Sequence, residues 1–77
     1  MRKLLNTLFV TSENAYLSLD GENVVASRDG QEAARYPLHM LSGILSFSYA
    51  GASPALMGAC AKRGVSLAFC TPGGRFL

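Results

Sequence analysis

Charged residues are scarce in this 77-residue chain, at 16% of the sequence against about 25% in an average soluble domain. Hydrophobic residues reach 49%, which excludes intrinsic disorder, because disorder needs low hydrophobicity and high charge. No apolar run extends to 18 residues, so a membrane-spanning helix is excluded. The apolar start is interrupted by Asn6 and Thr7 and lacks a small-residue cleavage site, unlike a signal peptide. The composition predicts one small globular domain without a membrane partner.

Metal ligands and thiols are equally sparse. The chain has one histidine, His39, and two cysteines, Cys60 and Cys70, which form neither a Cys-x-x-Cys pair nor a dense disulfide framework. This pattern predicts a reducing, cytoplasmic location, and so few ligands do not predict a structural zinc site. The net charge of +2 is too small and too dispersed to indicate nucleic-acid binding by itself.

A cysteine–histidine hydrolase would need His39 as the base and Cys60 or Cys70 as the nucleophile. Neither cysteine is predicted at a helix N-terminus, where a thiol becomes more acidic, so a structural role is the favoured interpretation for all three residues. The five acidic residues lie mostly in or beside predicted turns and do not converge as the carboxylates of a metal-dependent nuclease must. We therefore predict no catalytic and no metal-binding residue in this segment.

The first half of the chain has the pattern of an antiparallel meander. Residues 4–11 alternate as a half-buried strand does, and residues 12–14 have turn chemistry. Alternation resumes over residues 15–19, 23–27 and 31–36, with an Asp-Gly pair between successive runs. Such pairs are the strongest local signal for a hairpin.

The second half predicts a helix between two strands. An apolar strand over residues 43–49 precedes Ser53, a favoured N-cap residue, and Pro54, a favoured first helical residue. The residues before Ser53 invite a phosphate-binding interpretation, because helix N-termini attract anions. No Walker lysine and no Gly-x-Gly-x-x-Gly pattern accompanies them, so ordinary capping is favoured.

The predicted helix ends with Lys62 and Arg63, whose charges suit the negative end of the helix dipole, and Gly64 is placed to adopt the left-handed conformation. A strand over residues 65–69 follows, and the β-α-β connection is expected to be right-handed. The predicted fold class is mainly β with one short α-helix: sandwich- or roll-like antiparallel sheets, made of a hairpin meander and then one β-α-β unit.

Arg75 is the candidate nucleic-acid-binding residue. It follows Gly73 and Gly74, and paired glycines permit close approach to another chain while a guanidinium can bind phosphate. A solvated arginine on a terminal strand is an equally good interpretation. The chain then ends two residues later, with a high apolar content, and both features predict a piece of a longer polypeptide whose apolar surface another copy or another domain covers.

The ordered series of segments resembles the CRISPR-associated integrase family of the spacer-acquisition machinery, and most of all its subtype I-C branch. The resemblance covers essentially all 77 residues, and no single motif carries it. The residues concerned are KLLNTLFVT at 3–11, AYLSLDGENV at 15–24, Pro37-Leu38-His39 with Leu41, GASPALM at 51–57, Cys60, Arg63-Gly64 and GGRFL at 73–77.

The resemblance implies that residues 1–77 are the N-terminal β-rich domain of a longer protein, without the helical catalytic C-terminal domain. The family's ligands for Mg²⁺ or Mn²⁺, a glutamate, a histidine and an aspartate, belong to that second domain, and none maps here. The parent is expected to be a metal-dependent DNA endonuclease and integrase that inserts spacers into the CRISPR array, and the fragment alone is expected to be inactive and without a cofactor.

The resemblance also implies partners: a second copy, double-stranded DNA with single-stranded ends, and a small ferredoxin-like CRISPR protein. Arg75 matches a basic position after the glycine-rich turn that resembles a phosphate contact in relatives. The alternative is a stand-alone small β-barrel that binds single-stranded nucleic acid through exposed aromatic residues. Against it, Phe9, Phe47 and Phe69 are predicted to be core residues.

Overall fold

The computed structural model describes residues 2–71, apart from the side chains of Arg2 and Leu4. Among these residues the chain is mainly β with one α-helix, as predicted. The elements are β1 (Arg2–Leu4), β2 (Thr7–Val10), β3 (Tyr16–Asp20), β4 (Asn23–Arg28), β5 (Gln31–Pro37), a 3-10 helix (Leu38–Met40), β6 (Gly43–Ser46), α1 (Pro54–Arg63) and β7 (Ser66–Phe69).

The strands form two sheets. β3, β4 and β5 make an antiparallel meander in sequence order, which confirms the hairpins predicted at the two Asp-Gly pairs. At the second pair, Asp29 (φ 53°) and Gly30 (φ 76°) both have the positive φ that the favoured two-residue hairpin turn requires. The other sheet has the order β1-β2-β6-β7, and β6 pairs in parallel with both β2 and β7.

The prediction of one strand over residues 4–11 was wrong, because the chain reverses at Leu5 and Asn6. Leu5 adopts a φ of 56°, and β1 pairs back on β2. The carbonyl of Asn6 accepts hydrogen bonds from the N–H groups of Ser42 (2.7 Å) and Gly43 (3.3 Å), which joins the turn to the start of β6. β2 therefore belongs to the sheet of the β-α-β unit and not to the meander.

Helix α1 begins and ends where local chemistry predicts. The Ser53 hydroxyl accepts a hydrogen bond from the N–H of Leu56 (3.2 Å), and Pro54 is the first helical residue. Gly64 adopts the left-handed conformation (φ 70°), and the Val65 N–H donates to the carbonyl of Cys60 (2.9 Å). These bonds satisfy backbone groups that a helix end would otherwise leave unpaired.

The hydrophobic core lies between the inner faces of the two sheets, and α1 contributes Leu56 and Cys60 to it. The 3-10 helix turns the chain from one sheet to the other, and the Leu38 N–H donates to the carbonyl of Glu22 (2.8 Å). The fully buried large side chains are Leu8, Val10, Leu17, Val24, Leu38, Ile44 and Leu56.

Candidate interaction surfaces

The outer face of the four-stranded sheet is apolar and partly open to solvent. Phe9, Leu45 and Ala68 are neighbours across three strands in one row of this face, and each is half-buried. Leu8 and Ile44 alternate with them and are buried on the inner face. A groove of about 280 Å³ opens on the outer face, and no charged residue of the described chain lines it. A partly exposed row of apolar side chains of this kind is typical of a protein–protein contact.

The aromatic residues Phe9, Phe47 and Phe69 are half-buried and lie outside the cluster of fully buried core residues. The prediction that they form the core was therefore wrong. The physical reason is that an apolar alternation shows that a strand has two different faces but does not show which face the rest of the fold covers.

A second apolar groove, of about 360 Å³, lies where α1 begins. Tyr49, Met57 and Phe69 line it, and the side chains of Tyr49 and Met57 are 69% and 44% exposed. Local sequence patterns did not indicate this groove. Tyr49 fell inside the predicted strand 43–49, whereas β6 ends at Ser46.

Acidic residues are confined to one part of the fold. All five lie between residues 13 and 32, so the strands of the four-stranded sheet carry none. Arg35 bonds to Asp20 and Glu32, both at 2.8 Å, and Arg63 forms an ion pair with Glu22. The hydrogen bonds from Arg35 hold the pKa of the Glu32 carboxyl below its usual range. Two of the described arginines are thus already paired.

The histidine and the two thiols lie in different environments. His39 lies exposed on the 3-10 helix, whereas Cys60 and Cys70 are free thiols and buried. Burial raises the pKa of the Cys60 thiol, which disfavours the reactive thiolate. Among the described residues, no group of three or more His, Cys, Asp or Glu side chains lies together as metal ligands would.

The residues before α1 act in capping and strand pairing. The Leu17 N–H donates to the carbonyl of Gly51 (3.1 Å), and the Ser53 N–H donates to the carbonyl of Leu17 (2.8 Å). The capping interpretation of Ser53 is confirmed by its bond to Leu56. Arg75, the predicted phosphate contact, lies outside the described residues, as do Gly73 and Gly74.

None of the helices within residues 2–71 is long and apolar enough to cross a membrane.

Solved structures share this arrangement of strands and helix. A chain of a structure described as a partial Cas6-RT-Cas1–Cas2 complex superposes with a TM-score of 0.82 at 13% identity, covering 92% of this chain and 21% of that chain. A chain of a casposase bound to integration product superposes with a TM-score of 0.66 at 14% identity, covering 94% of this chain and 23% of that chain. At these identities the likeness defines the fold.

Sequence comparison defines the family. The family model described as CRISPR associated protein Cas1 matches residues 8–77. The CRISPR-associated endonuclease Cas1 1 of Chlorobaculum tepidum is 53% identical over all 77 residues, and the CRISPR-associated endonuclease Cas1 2 of Rhodospirillum rubrum is 47% identical over 76. This chain belongs to the Cas1 family of CRISPR-associated proteins. It spans 22% of the length of each of these two relatives.

Proposed function

We propose that this chain is the N-terminal domain of a CRISPR adaptation integrase of the subtype I-C branch, which dimerises and contacts the DNA backbone. The observation that carries the proposal is the row of half-exposed apolar residues Phe9, Leu45 and Ala68. The chain that carries this row is 53% and 47% identical in sequence to two proteins named Cas1 endonucleases. A domain of this size buries only about 60% of the surface that its unfolded chain exposes. A second copy that covers the apolar row would add to the buried area.

The catalytic work is assigned to the rest of the protein. The parent would be a metal-dependent DNA endonuclease and integrase that inserts spacers into the CRISPR array, with Mg²⁺ or Mn²⁺ held by a helical C-terminal domain. The described residues do not fit such a metal, since three of the acidic side chains are bonded to Arg35 or Arg63. The segment by itself is proposed to be inactive.

The DNA partner is proposed to be a duplex with single-stranded ends, bound together with a small ferredoxin-like CRISPR protein in the cytoplasm. The absence of acidic residues from the strands of the four-stranded sheet supports contact with a polyanion on that side of the fold. The two free thiols are compatible with a reducing compartment.

Self-association is tested by sedimentation of the wild-type chain and of Leu45→Asp. A charge placed in this apolar row, which the proposed dimer would cover, should weaken the dimer at least about tenfold. Ser18→Asp is the control, because Ser18 is half-buried in the other sheet and should leave the dimer intact. A wild-type chain that stays monomeric at high concentration would exclude this interface.

The DNA contact is tested with Arg75→Ala in the full-length protein. Loss of one phosphate contact should weaken DNA binding at low salt. It should also reduce the slope of the logarithm of the binding constant against the logarithm of the salt concentration by about one. Arg63→Ala is the control, because Glu22 already neutralises that guanidinium. Equal binding by the wild type and Arg75→Ala would remove Arg75 from the interface.

A further inference from the structure

Leu5 is an apolar side chain that the fold leaves in solvent. It lies in the turn between β1 and β2, and it is 93% exposed, the highest value among the large hydrophobic residues of the described chain. Its φ of 56° lies in the left-handed region, which costs free energy in a residue that has a side chain. Strain of this kind persists where the surrounding structure fixes it, and it is common at functional sites. The turn therefore carries two unfavourable features that the isolated fold does not need.

The turn that carries Leu5 is fixed on both sides. The backbones of Leu4 and Thr7, which flank it, are paired across β1 and β2. The carbonyl of Asn6 accepts hydrogen bonds from the N–H groups of Ser42 (2.7 Å) and Gly43 (3.3 Å). Leu5 is thus held in a defined place before any partner binds, which reduces the entropy that binding costs.

A groove without charged lining residues begins beside this turn. It is the groove of about 280 Å³ on the outer face of the four-stranded sheet, and Thr7, Gly43 and Ser66 form the row that lies at the turn. Gly43 has no side chain, so the middle of this row is open, and we name the site the Gly43 groove. Leu45 and Ala68 line its other end. An apolar side chain can enter it without burying a charge.

We infer that Leu5 anchors the contact between two copies of this chain, with the Leu5 side chain of each copy inserted in the Gly43 groove of the other. The inference rests on the proposed function, because it takes a second copy as the partner and adds the residue that is bound and its place. A contact with two-fold symmetry uses the same surface on both copies, so a projecting side chain and the groove that receives it must lie close together. Leu5 and Thr7, at the edge of the groove, meet that requirement.

The adjoining apolar row favours a second copy as the occupant. The row Phe9, Leu45 and Ala68 is continuous with the Gly43 groove, because Leu45 and Ala68 belong to both. A copy that covers the row also carries an uncovered leucine and an open groove of its own. One symmetric contact therefore removes both apolar features of both copies from water, which is the main driving force of protein association.

The test separates association from folding, because Leu5→Gly should change them in opposite directions. Glycine relieves the strain of the turn, so the melting temperature of the dilute, monomeric chain should not fall. Each dimer loses two buried leucine side chains, so its dissociation constant in sedimentation should rise at least about tenfold. A variant that was merely misfolded would lose both properties.

Gly43→Val tests the same contact from the side of the groove. A β-carbon added at Gly43 would lie 3.6 Å from the carbonyl oxygen of Ser66, an ordinary contact, and a β-branched residue suits a strand, so the variant should fold. The valine fills the groove and should weaken the dimer to a similar extent. In the double variant the two losses should not add, because either substitution removes the same contact.

Met40→Ala is the matched control, because Met40 is also exposed, at 49%, but lies on the 3-10 helix outside the four-stranded sheet. It should dimerise as the wild type does. Far-ultraviolet circular dichroism should show all of these variants folded.

Three results would overturn the inference: an unchanged dissociation constant in Leu5→Gly, equal losses in Leu5→Gly and Met40→Ala, or fully additive losses in the double variant. In the full-length protein, a lower melting temperature for Leu5→Gly with self-association intact would also overturn it, by assigning Leu5 to a contact with the rest of the polypeptide. The proposed dimer stands after any of these results if Leu45→Asp still weakens self-association. A wild-type chain that stays monomeric at high concentration would reject the proposed dimer itself and this contact with it.

Discussion

The Ser48 hydroxyl lies 2.6 Å from the carbonyl oxygen of Ala15, a residue 33 positions earlier in the chain. Ser48 follows β6 of one sheet and Ala15 precedes β3 of the other, so this buried bond joins the two sheets. The same hydroxyl accepts a hydrogen bond from Ala50, and the carbonyl of Glu13 lies 3.0 Å from it. The Ser48 hydroxyl thus pairs with the Ala15 carbonyl and the Ala50 N–H, while the Glu13 carbonyl also accepts a hydrogen bond from the Tyr49 N–H (2.9 Å).

Ser48→Ala is therefore expected to destabilise the fold by about 1–3 kcal/mol, since it removes the hydroxyl partner of the buried Ala15 carbonyl and of the partly buried Ala50 N–H. The measurement is the free energy of unfolding from urea titration. Ser18→Ala is the control, because Ser18 is only half-buried in β3, an outer strand of the three-stranded sheet, and the substitution should change stability far less. Equal stability of the Ser48→Ala variant and the wild type would mean that water replaces the hydroxyl.

The limits of sequence-based prediction are visible at particular residues. Ser53, Pro54 and Gly64 bound the helix through contacts within a few residues, so local chemistry was sufficient to place it. The turn at Leu5 was missed, because it contains neither glycine nor proline. The hydrogen bonds that join it to β6 come from residues far along the chain.

The candidate surfaces were harder to predict than the elements. Alternation gives each strand two faces, but only the pairing of β2 with β6 decides that Leu8 lies beside Ile44 on one face and Phe9 beside Leu45 on the other. The groove at Tyr49 forms where the segment after β6, the start of α1 and the end of β7 meet. No local sequence pattern predicts that these three parts of the chain are neighbours.

Leu5→Gly is expected to stabilise the fold by up to about 1 kcal/mol. A left-handed φ costs a non-glycine residue roughly 1–2 kcal/mol, which exceeds the entropic cost of a glycine. The Leu5 side chain is 93% exposed, so its removal leaves no cavity. Thermal unfolding followed by circular dichroism would measure the gain, and a lower melting temperature for Leu5→Gly would contradict it. Gly64→Ala should have the opposite effect, because φ at Gly64 is 70°.

Leu56→Asp is expected to unfold the chain, whereas Met57→Asp is expected to leave it folded. Leu56 packs from α1 into the core and is fully buried. An unpaired carboxylate at this position would have no compensating partner. Met57, the next residue of the same helix, is 44% exposed, so its substitution introduces the same charge on the open face. Circular dichroism at 25 °C distinguishes the two, and a folded Leu56→Asp variant would show that the helix is packed on another face.

The contacts of Arg35 predict a specific loss of stability in acid. The pKa of Glu32 is lower in the folded chain than its ordinary value of 4.5, because its carboxylate accepts hydrogen bonds from Arg35. The unfolded state therefore takes up a proton first as the pH falls, so the stabilisation from this pair is complete above the ordinary pKa and decreases below it.

Arg35→Gln removes the cation and should flatten that decrease. Urea midpoints measured between pH 6 and pH 3 test this, with Arg63→Gln as the control, because Arg63 pairs with Glu22 at another point of the fold. Parallel curves for the wild type and Arg35→Gln would show that the pair does not shift the titration of Glu32.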